Sequence, residues 1–274
     1  MKRPLLVGAV VYDPKVVTIW ETIKDFFQIE GCLIDSVFYS NYELQVDALL
    51  SGHIQIAWNS PLAWVDAQRK SGGSCRAIAM RDTDRDRVTH ILVRRESGIS
   101  AVSGLKGKTI ATGAKDSPQA TLLPLHLLQN RGLTPYKDFQ VKRFDLMVGK
   151  HGDHIGGELE ALRSLQTGES DACAILDLNW EQWLSDGTAD PATLMPLIST
   201  APFDHCNFTI LDGFPSDLET KWTETLLRMD YRRPDHREIM DMEGLKTWLP
   251  GRITGYAALT EAVEQQHFFE AVDS

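Results

Sequence analysis

The chain has 274 residues, enough for one large domain or two of ordinary size, and 43% of them are hydrophobic while 24% are charged. This composition is typical of a globular protein that buries a sizeable core. The net charge of −10 excludes the basic surface that nucleic-acid binding requires, so no nucleic-acid partner is expected. Any bound anion must therefore be held by local groups.

The N-terminal segment resembles a signal peptide only superficially. An apolar run, Leu5–Tyr12, follows Lys2 and Arg3, but it is short, lacks a cleavage site of small residues and stops at Asp13. We interpret it as a buried strand. The chain as written is therefore expected in the cytoplasm, or in the periplasm if a leader has been removed. No run of about 18 apolar residues occurs, so no transmembrane segment is expected.

Strand and helix patterns alternate along most of the chain, which favours α/β layers with largely parallel sheets. The first helix shows apolar residues at helical spacing from Val16 to Phe27 and is expected to end at Gly31. The predicted strands lie at 5–12, 33–39, 54–58, 76–80, 89–94, 108–112, 140–144, 172–176 and 208–211. The other predicted helices lie at 42–51, from 60 onward, at 117–131, 157–167 and 216–229, and within about the last forty residues.

Three helices are predicted to begin with a capping residue and a proline directly after a strand. These starts are Asp13-Pro14, Ser60-Pro61 and Ser117-Pro118. In open α/β sheets, ligands bind beyond the carboxyl ends of the strands, where such helices begin. The free backbone N–H groups of the first turn favour an anion there. The sequence therefore predicts a binding site for a small oxyanion.

The sequence predicts no metal site and no cofactor. Asp82-x-Asp84-x-Asp86 resembles the start of a calcium loop, but Arg87 replaces the required glycine and Val93 the required glutamate. No HExxH, Walker A or GxSxG pattern is present. The cysteines lack CxxC spacing and are expected to be buried thiols.

Five stretches together resemble the phosphate-, phosphite- and phosphonate-binding proteins of ABC importers. They occur in the order and at the spacing of that family, which is part of the transferrin-like group of periplasmic binding proteins. The stretches are 52–63, 88–99, 105–120, 168–175 and 201–208.

This resemblance implies a type 2 periplasmic-binding-protein architecture, in which two α/β lobes are joined by two crossing hinge strands and close over a ligand cleft. Lobe one is then 1–93 plus 205–274, and lobe two is 94–204. The crossings are expected near Thr89–Arg95 and His205–Leu211.

The resemblance also implies the ligand-binding residues. The family holds its oxyanion at the first helix of lobe two, which here corresponds to Ser117, Gln119 and Ala120. This chain departs from the family pattern because Pro118 and Gln119 stand where hydroxyl side chains are usual. The other positions carried over are Tyr12, Tyr42, Asn59, Ser60, His154 and Asp177, the last near a carboxylate that binds ligand ammonium groups in some relatives.

The implied function is a non-enzymatic solute-binding protein that captures a small anionic or zwitterionic ligand by hinge closure, with an ABC permease as a candidate partner. Two alternatives remain open at this point. One is an enzyme on the same scaffold, with His154, His205 or Cys206 as catalytic groups. The other is a cytosolic sensor that reports ligand binding to a partner.

Overall fold

A computed structural model describes residues 3–152 and 156–270. The chain divides into two compact units. Unit 1 comprises the chain up to Arg85 together with Asp204–Tyr256, and unit 2 comprises Asp86–Phe203 together with the chain from Ala257 onward. The chain therefore passes from one unit to the other three times.

The helices and strands follow the alternation expected from the sequence. The helices are α1 (Lys15–Ile29), α2 (Tyr42–Leu50), α3 (Pro61–Ser71), α4 (Leu123–Gln129), α5 (Gly156–Gln166), α6 (Asp177–Asp186), α7 (Ser216–Leu227), α8 (Pro234–Glu243) and α9 (Ala257–Gln265). The strands are β1 (Leu5–Val10), β2 (Ile34–Tyr39), β3 (Ile56–Asn59), β4 (Cys75–Arg81), β5 (Thr89–Arg94), β6 (Thr109–Thr112), β7 (Gln140–Arg143), β8 (Ala172–Leu176), β9 (Leu194–Ser199), β10 (Asn207–Leu211) and β11 (Trp248–Pro250).

Each unit is built on a mixed sheet. In unit 1 the strand order is β11-β4-β10-β3-β1-β2, and in unit 2 it is β7-β6-β8-β5-β9. The strands β1, β2 and β3 pair in parallel, as do β6, β7 and β8, whereas β10 and β5 run antiparallel to their neighbours. The sheets are less parallel than expected, because β5 and β10, which each follow a passage between units, and also β11 pair antiparallel with their neighbours.

The unit boundaries differ from the predicted lobes. The strand β5, predicted as a crossing, pairs along its length with β8 and β9 of unit 2. The helix α9, predicted in lobe one, packs against α4 of unit 2, and His126 Nδ1 lies 2.6 Å from Gln265 Oε1. The C-terminal helix therefore belongs to the second unit.

Local sequence signals correctly predicted most of the helices and strands. The apolar stripe of α1 is buried, from Val16 to Phe27. Ser60 caps α3, with its Oγ accepting a hydrogen bond from Ala63 N at 3.1 Å. The sequence patterns missed α6, β9 and β11, and part of the C-terminal region predicted as helix is the strand β11.

Candidate functional site

The first predicted site element, Ser117–Ala120, follows β6 in unit 2, and we call it the helix start. Ser117 Oγ accepts a hydrogen bond from Ala120 N at 3.1 Å, which is the N-cap geometry expected from the sequence. Pro118 occupies the first helical position, and the first turn is π-helical before it continues into α4. All four residues are buried. The predicted cap is therefore formed at the carboxyl end of a central strand.

Gln119 is held on two sides within unit 2. Its side-chain Nε2 donates to the backbone carbonyl of Gly152 at 2.9 Å, and its own backbone carbonyl accepts from Thr89 Oγ1 at 2.7 Å. The side chain is 1% exposed. The amide therefore links the helix start to the 149–152 segment, which the sequence did not associate with it.

Glycines allow this close packing. A Cβ added at Gly152 would lie 2.3 Å from Ser117 Oγ, and the φ angle of Gly152 is +77°. At Gly157, where α5 begins, a Cβ would lie 3.1 Å from the Cα of Gly113. Glycine allows these backbones to approach so closely, so Gly152 and Gly157 serve packing between segments.

Three buried acceptor atoms around the helix start have no hydrogen-bond partner among the described residues. They are Thr112 Oγ1, Asp116 Oδ1 and Gln119 Oε1. The second oxygen of Asp116 accepts from Gly149 N at 2.5 Å. Buried polar atoms are normally paired, so these three oxygens, of which the Thr112 hydroxyl can donate as well as accept, indicate a place where a ligand or water supplies hydrogen-bond partners.

Asp177, the predicted ammonium-binding carboxylate, begins α6 and is engaged within unit 2. Its Oδ2 lies 3.5 Å from Arg87 Nη1, and its Oδ1 accepts from Leu178 N at 2.9 Å. The Asp177 side chain is 13% exposed. The negative charge of this carboxylate is thus balanced by an arginine of the same unit.

The predicted residue Asn59 lies in unit 1 within a buried chain of hydrogen bonds, which we call the amide chain. Its first link is Gln45 Nε2 to Asn59 Oδ1 at 2.9 Å, and the next is Asn59 Nδ2 to Thr209 Oγ1 at 3.0 Å. Thr209 then donates to Asn207 Oδ1 at 2.7 Å, and Asn207 Nδ2 donates to the Tyr256 hydroxyl at 2.9 Å. The side chain of Asn59 therefore connects β3 to β10.

The other predicted residues of unit 1 also lie at carboxyl ends of strands or at helix starts. Tyr12 follows β1, is half-buried and packs against the main hydrophobic core. Tyr42 is the first residue of α2 and is 1% exposed. Ser60 is fully buried and caps α3. His154, the remaining predicted site residue, lies outside the described residues.

Two residues of the enzymatic alternative, His205 and Cys206, lie in an ion-pair network in unit 1. His205 Nδ1 lies 3.1 Å from Cys206 Sγ and 3.5 Å from Asp84 Oδ1. Arg81 donates to both oxygens of Asp84, at 2.7 and 2.9 Å. Burial alone would raise the pKa of Asp84, but the charge of Arg81 outweighs it and holds that pKa well below its usual range.

In the part of the chain that the structure describes, Asp84, His205 and Cys206 are the one group whose side-chain atoms are close enough to hold a metal ion. However, Asp84 Oδ1 already accepts from Arg81 Nη2 at 2.9 Å and from Cys206 N at 3.2 Å. A carboxylate oxygen has two lone pairs, and both are used here. The arrangement is therefore that of a salt bridge with supporting hydrogen bonds.

Sequence reasoning missed several residues that shape these regions. Glu158 is buried, and its two oxygens accept from Leu176 N at 2.7 Å and from Asn179 Nδ2 at 3.0 Å. Gln45 and Thr209 hold Asn59 in unit 1. Nothing local marked these residues, because their partners lie 14 to 150 positions away along the chain.

Comparison with known proteins identifies the family. The family model described as "ABC transporter, phosphonate, periplasmic substrate-binding protein" matches residues 15–256, and the chain belongs to this family. A curated relative, the probable ABC transporter phosphite-binding protein PhnD1 of Prochlorococcus marinus, is 21% identical over 235 residues, which are 81% of this chain and 74% of that protein. The chain is thus a substrate-binding component of ABC phosphonate transport, as the resemblance implied.

Solved structures show the same fold. PhnD1 from Prochlorococcus marinus in complex with methylphosphonate matches with a TM-score of 0.71 at 18% identity, covering 96% of this chain and 98% of that one. The periplasmic aliphatic sulphonate-binding protein SsuA from Escherichia coli matches with a TM-score of 0.59 at 16% identity, covering 99% and 89%. The predicted type 2 periplasmic-binding-protein fold is confirmed.

The family works in the periplasm as part of ABC importers. Across residues 3–152 and 156–270, no helix combines the length and apolarity needed to cross a membrane.

Proposed function

We propose that the protein binds a small phosphonate-like oxyanion at the helix start of unit 2 and delivers it to an ABC permease. The observation that carries this proposal is the buried, capped start at Ser117, which directly follows the central strand β6. Ser117 Oγ accepts the Ala120 N–H, so the hydrogen of its hydroxyl can be donated to a ligand oxygen. The positive end of the helix favours the ligand's charge.

The helix start is not sufficient by itself. A helix terminus contributes about 0.3–2 kcal/mol to anion binding, whereas micromolar affinity requires about 8 kcal/mol. Other contacts must therefore act on the same ligand. Tyr12, Tyr42, Asn59, Ser60 and His154 remain the predicted contributors.

The surroundings of Asp177 favour a ligand without an ammonium group. In unit 2 the Asp177 carboxylate already faces Arg87 and accepts the Leu178 N–H. A ligand ammonium would have to compete with the Arg87 guanidinium for it. We therefore infer that simple alkylphosphonates or phosphite bind better than aminoalkylphosphonates. This changes the role that the resemblance suggested for Asp177 from ligand contact to internal ion pair.

Calorimetric titration with methylphosphonate, phosphite and 2-aminoethylphosphonate tests the proposal. We expect one-to-one binding of methylphosphonate or phosphite, weaker binding of the amino compound, and an affinity loss of at least about tenfold in Ser117→Ala, since charge-assisted hydrogen bonds contribute about 1.5–3 kcal/mol. Ser97→Ala is a matched control, because Ser97 Oγ also accepts a backbone N–H, from Ile99 at 3.2 Å. Equal affinities of wild type and Ser117→Ala would place the ligand elsewhere.

We propose further that binding involves no chemical conversion. Cys206 is 2% exposed, and its neighbours His205 and Asp84 are tied to the Arg81 ion pair, which supports a structural role for them. Mass spectrometry of methylphosphonate after prolonged incubation should recover it unchanged. A product that disappears in Cys206→Ala would support the enzymatic alternative instead. The hinge closure implied by the resemblance also remains a prediction, which small-angle scattering with and without methylphosphonate tests.

A further inference from the structure

The orientation of the Gln119 side-chain amide is fixed by its surroundings. Its Nε2 donates to the backbone carbonyl of Gly152 at 2.9 Å. A carbonyl can only accept, so exchanging the amide nitrogen and oxygen would set two acceptors against each other. The Oε1 atom must therefore lie on the branch of the amide that faces away from Gly152.

This oxygen lacks a hydrogen-bond partner although it is buried. Gln119 is 1% exposed, and no described residue donates to its Oε1. The residue lies two positions after the Ser117 cap, at the start of a helix that runs without interruption to Gln129. The helix start therefore combines hydrogen-bond donors with one acceptor, Gln119 Oε1, to which no described residue donates.

An acceptor in an anion site distinguishes between ligands of the same shape. A methanesulfonate ion and a methylphosphonate monoanion have the same charge and similar size, but only the phosphonate carries an O–H group. The sulfonate would place an oxygen lone pair against Gln119 Oε1, and a buried carbonyl left unpaired weakens binding. Sites built to pair with a ligand hydroxyl strongly reject analogues that lack it.

We propose that Gln119 Oε1 accepts a hydrogen bond from the protonated oxygen of a phosphonate monoanion, and that this bond selects phosphonates over isosteric sulfonates. The inference rests on the proposed function, because it concerns the same site. It assigns a specific task to a residue at which this chain departs from its family's hydroxyl-rich pattern. In a simple alkylphosphonate monoanion, the P–OH group is the one hydrogen-bond donor.

The test is calorimetric titration of the full chain with methylphosphonate and methanesulfonate under mildly acidic conditions, where the phosphonate is a monoanion. We expect the wild type to prefer methylphosphonate at least about thirtyfold, consistent with the loss of one buried hydrogen bond to a charged ligand. In Gln119→Met, which keeps the length of the side chain and removes the acceptor, the ratio of the two affinities should fall towards one.

Gln129→Met is the matched control. Gln129 lies on the same helix and also has a buried Oε1 without a partner among the described residues, but it lines a separate cavity with Leu125, Tyr136 and Phe268. Its substitution should leave the affinity ratio unchanged.

The outcomes separate the two proposals. If the wild type binds neither compound, the proposed function fails and this inference fails with it. If the wild type binds both equally well, the proposed function stands and the role of Gln119 is overturned. If Gln119→Met fails to fold, as circular dichroism would reveal, the wild-type preference decides the question. If a folded Gln119→Met variant still prefers methylphosphonate over methanesulfonate, the proposed role of Gln119 is also overturned.

Discussion

Two buried amide side chains, Asn59 in unit 1 and Gln119 in unit 2, differ in their hydrogen-bond partners. In unit 1, Asn59 is part of the amide chain, and its Oδ1 and Nδ2 atoms each have a protein partner. In unit 2, Gln119 has a partner for its nitrogen but none among the described residues for its oxygen. Asn59 is the last residue of β3 and Gln119 lies after β6, both of which are interior strands of their sheets, so position alone does not separate the two residues.

This difference teaches that a polar residue at the end of a strand can serve either the fold or a ligand. An amide whose oxygen and nitrogen both have protein partners, as in Asn59, stabilises the unit. An unpaired buried acceptor reduces the stability of the unit, and a ligand that supplies a donor recovers that loss. We therefore expect substitutions that break the amide chain at Thr209 or the Arg81–Asp84 ion pair to lower mainly stability, and substitutions at the helix start to lower mainly affinity.

The largest expected effect tests the stabilising role of unit 1. Arg81→Met leaves the Asp84 carboxylate buried without its partner, and we expect the free energy of unfolding to fall by about 3–5 kcal/mol. The pKa of Asp84 is lowered in the folded protein. Its contribution to stability is therefore present above the ordinary aspartate pKa of about 3.9 and is lost as the pH falls towards the folded-state value. Urea unfolding at neutral and acid pH measures both effects.

In Arg81→Met the midpoint of acid unfolding should move to higher pH. Arg163→Met is the control, since its partner Glu160 lies 2.6 Å away and both side chains are exposed. That substitution should lower the free energy of unfolding by less than about 1 kcal/mol. Equal losses in the two variants would contradict a stabilising ion pair in unit 1.

A second substitution probes the packing of the helix start. Gly152→Ala forces its Cβ against Ser117 Oγ, so the 149–152 segment must move away from Gln119. We expect a loss of stability of about 1–3 kcal/mol from overpacking, added to the backbone strain, and a marked loss of methylphosphonate affinity. Thermal unfolding and calorimetric titration measure the two losses.

Gly132→Ala is the control that separates the effect of backbone strain from the effect of the steric contact with Ser117. Gly132 has a φ angle of +83°, but a Cβ there would meet nothing within 4 Å. Its substitution should cost about 1–2 kcal/mol of backbone strain and leave affinity unchanged. If Gly152→Ala behaves like this control, the contact with Ser117 is unimportant.

A third substitution breaks the amide chain without changing its shape. Thr209→Val removes the hydroxyl that joins Asn59 Nδ2 to Asn207 Oδ1, and we expect stability to fall by about 1–3 kcal/mol. Methylphosphonate affinity should change little. A large affinity loss with unchanged stability would mean that the amide chain serves the ligand and that the comparison of the two units is wrong.

The smallest expected effect compares the two serine caps. Ser60 and Ser117 each accept a backbone N–H at 3.1 Å, and each precedes a proline. Substitution by alanine should cost about 0.5–2 kcal/mol of stability in either case. Affinity for methylphosphonate should fall more in Ser117→Ala. Equal affinity losses would indicate that the ligand depends on both caps alike.

Features that depend on residues close together in the chain could be predicted from the sequence. A serine followed by proline predicted the caps of α3 and of the helix start, because capping involves side chains and N–H groups only three positions apart. The apolar spacing of α1 predicted its buried face for the same reason. Several short family motifs in register predicted the fold and the class of function.

Only the tertiary structure decided which partners the polar residues have. The sequence could not tell that Asn59 pairs with Thr209, or that Gln119 meets Gly152. It also placed α9 in the wrong unit and expected parallel sheets. These features depend on hydrogen bonds and packing between segments far apart in the chain, and such contacts exist only once the sheets have assembled. The sequence therefore identified the polar residues, and the fold determined which of them are satisfied and which still lack a donor.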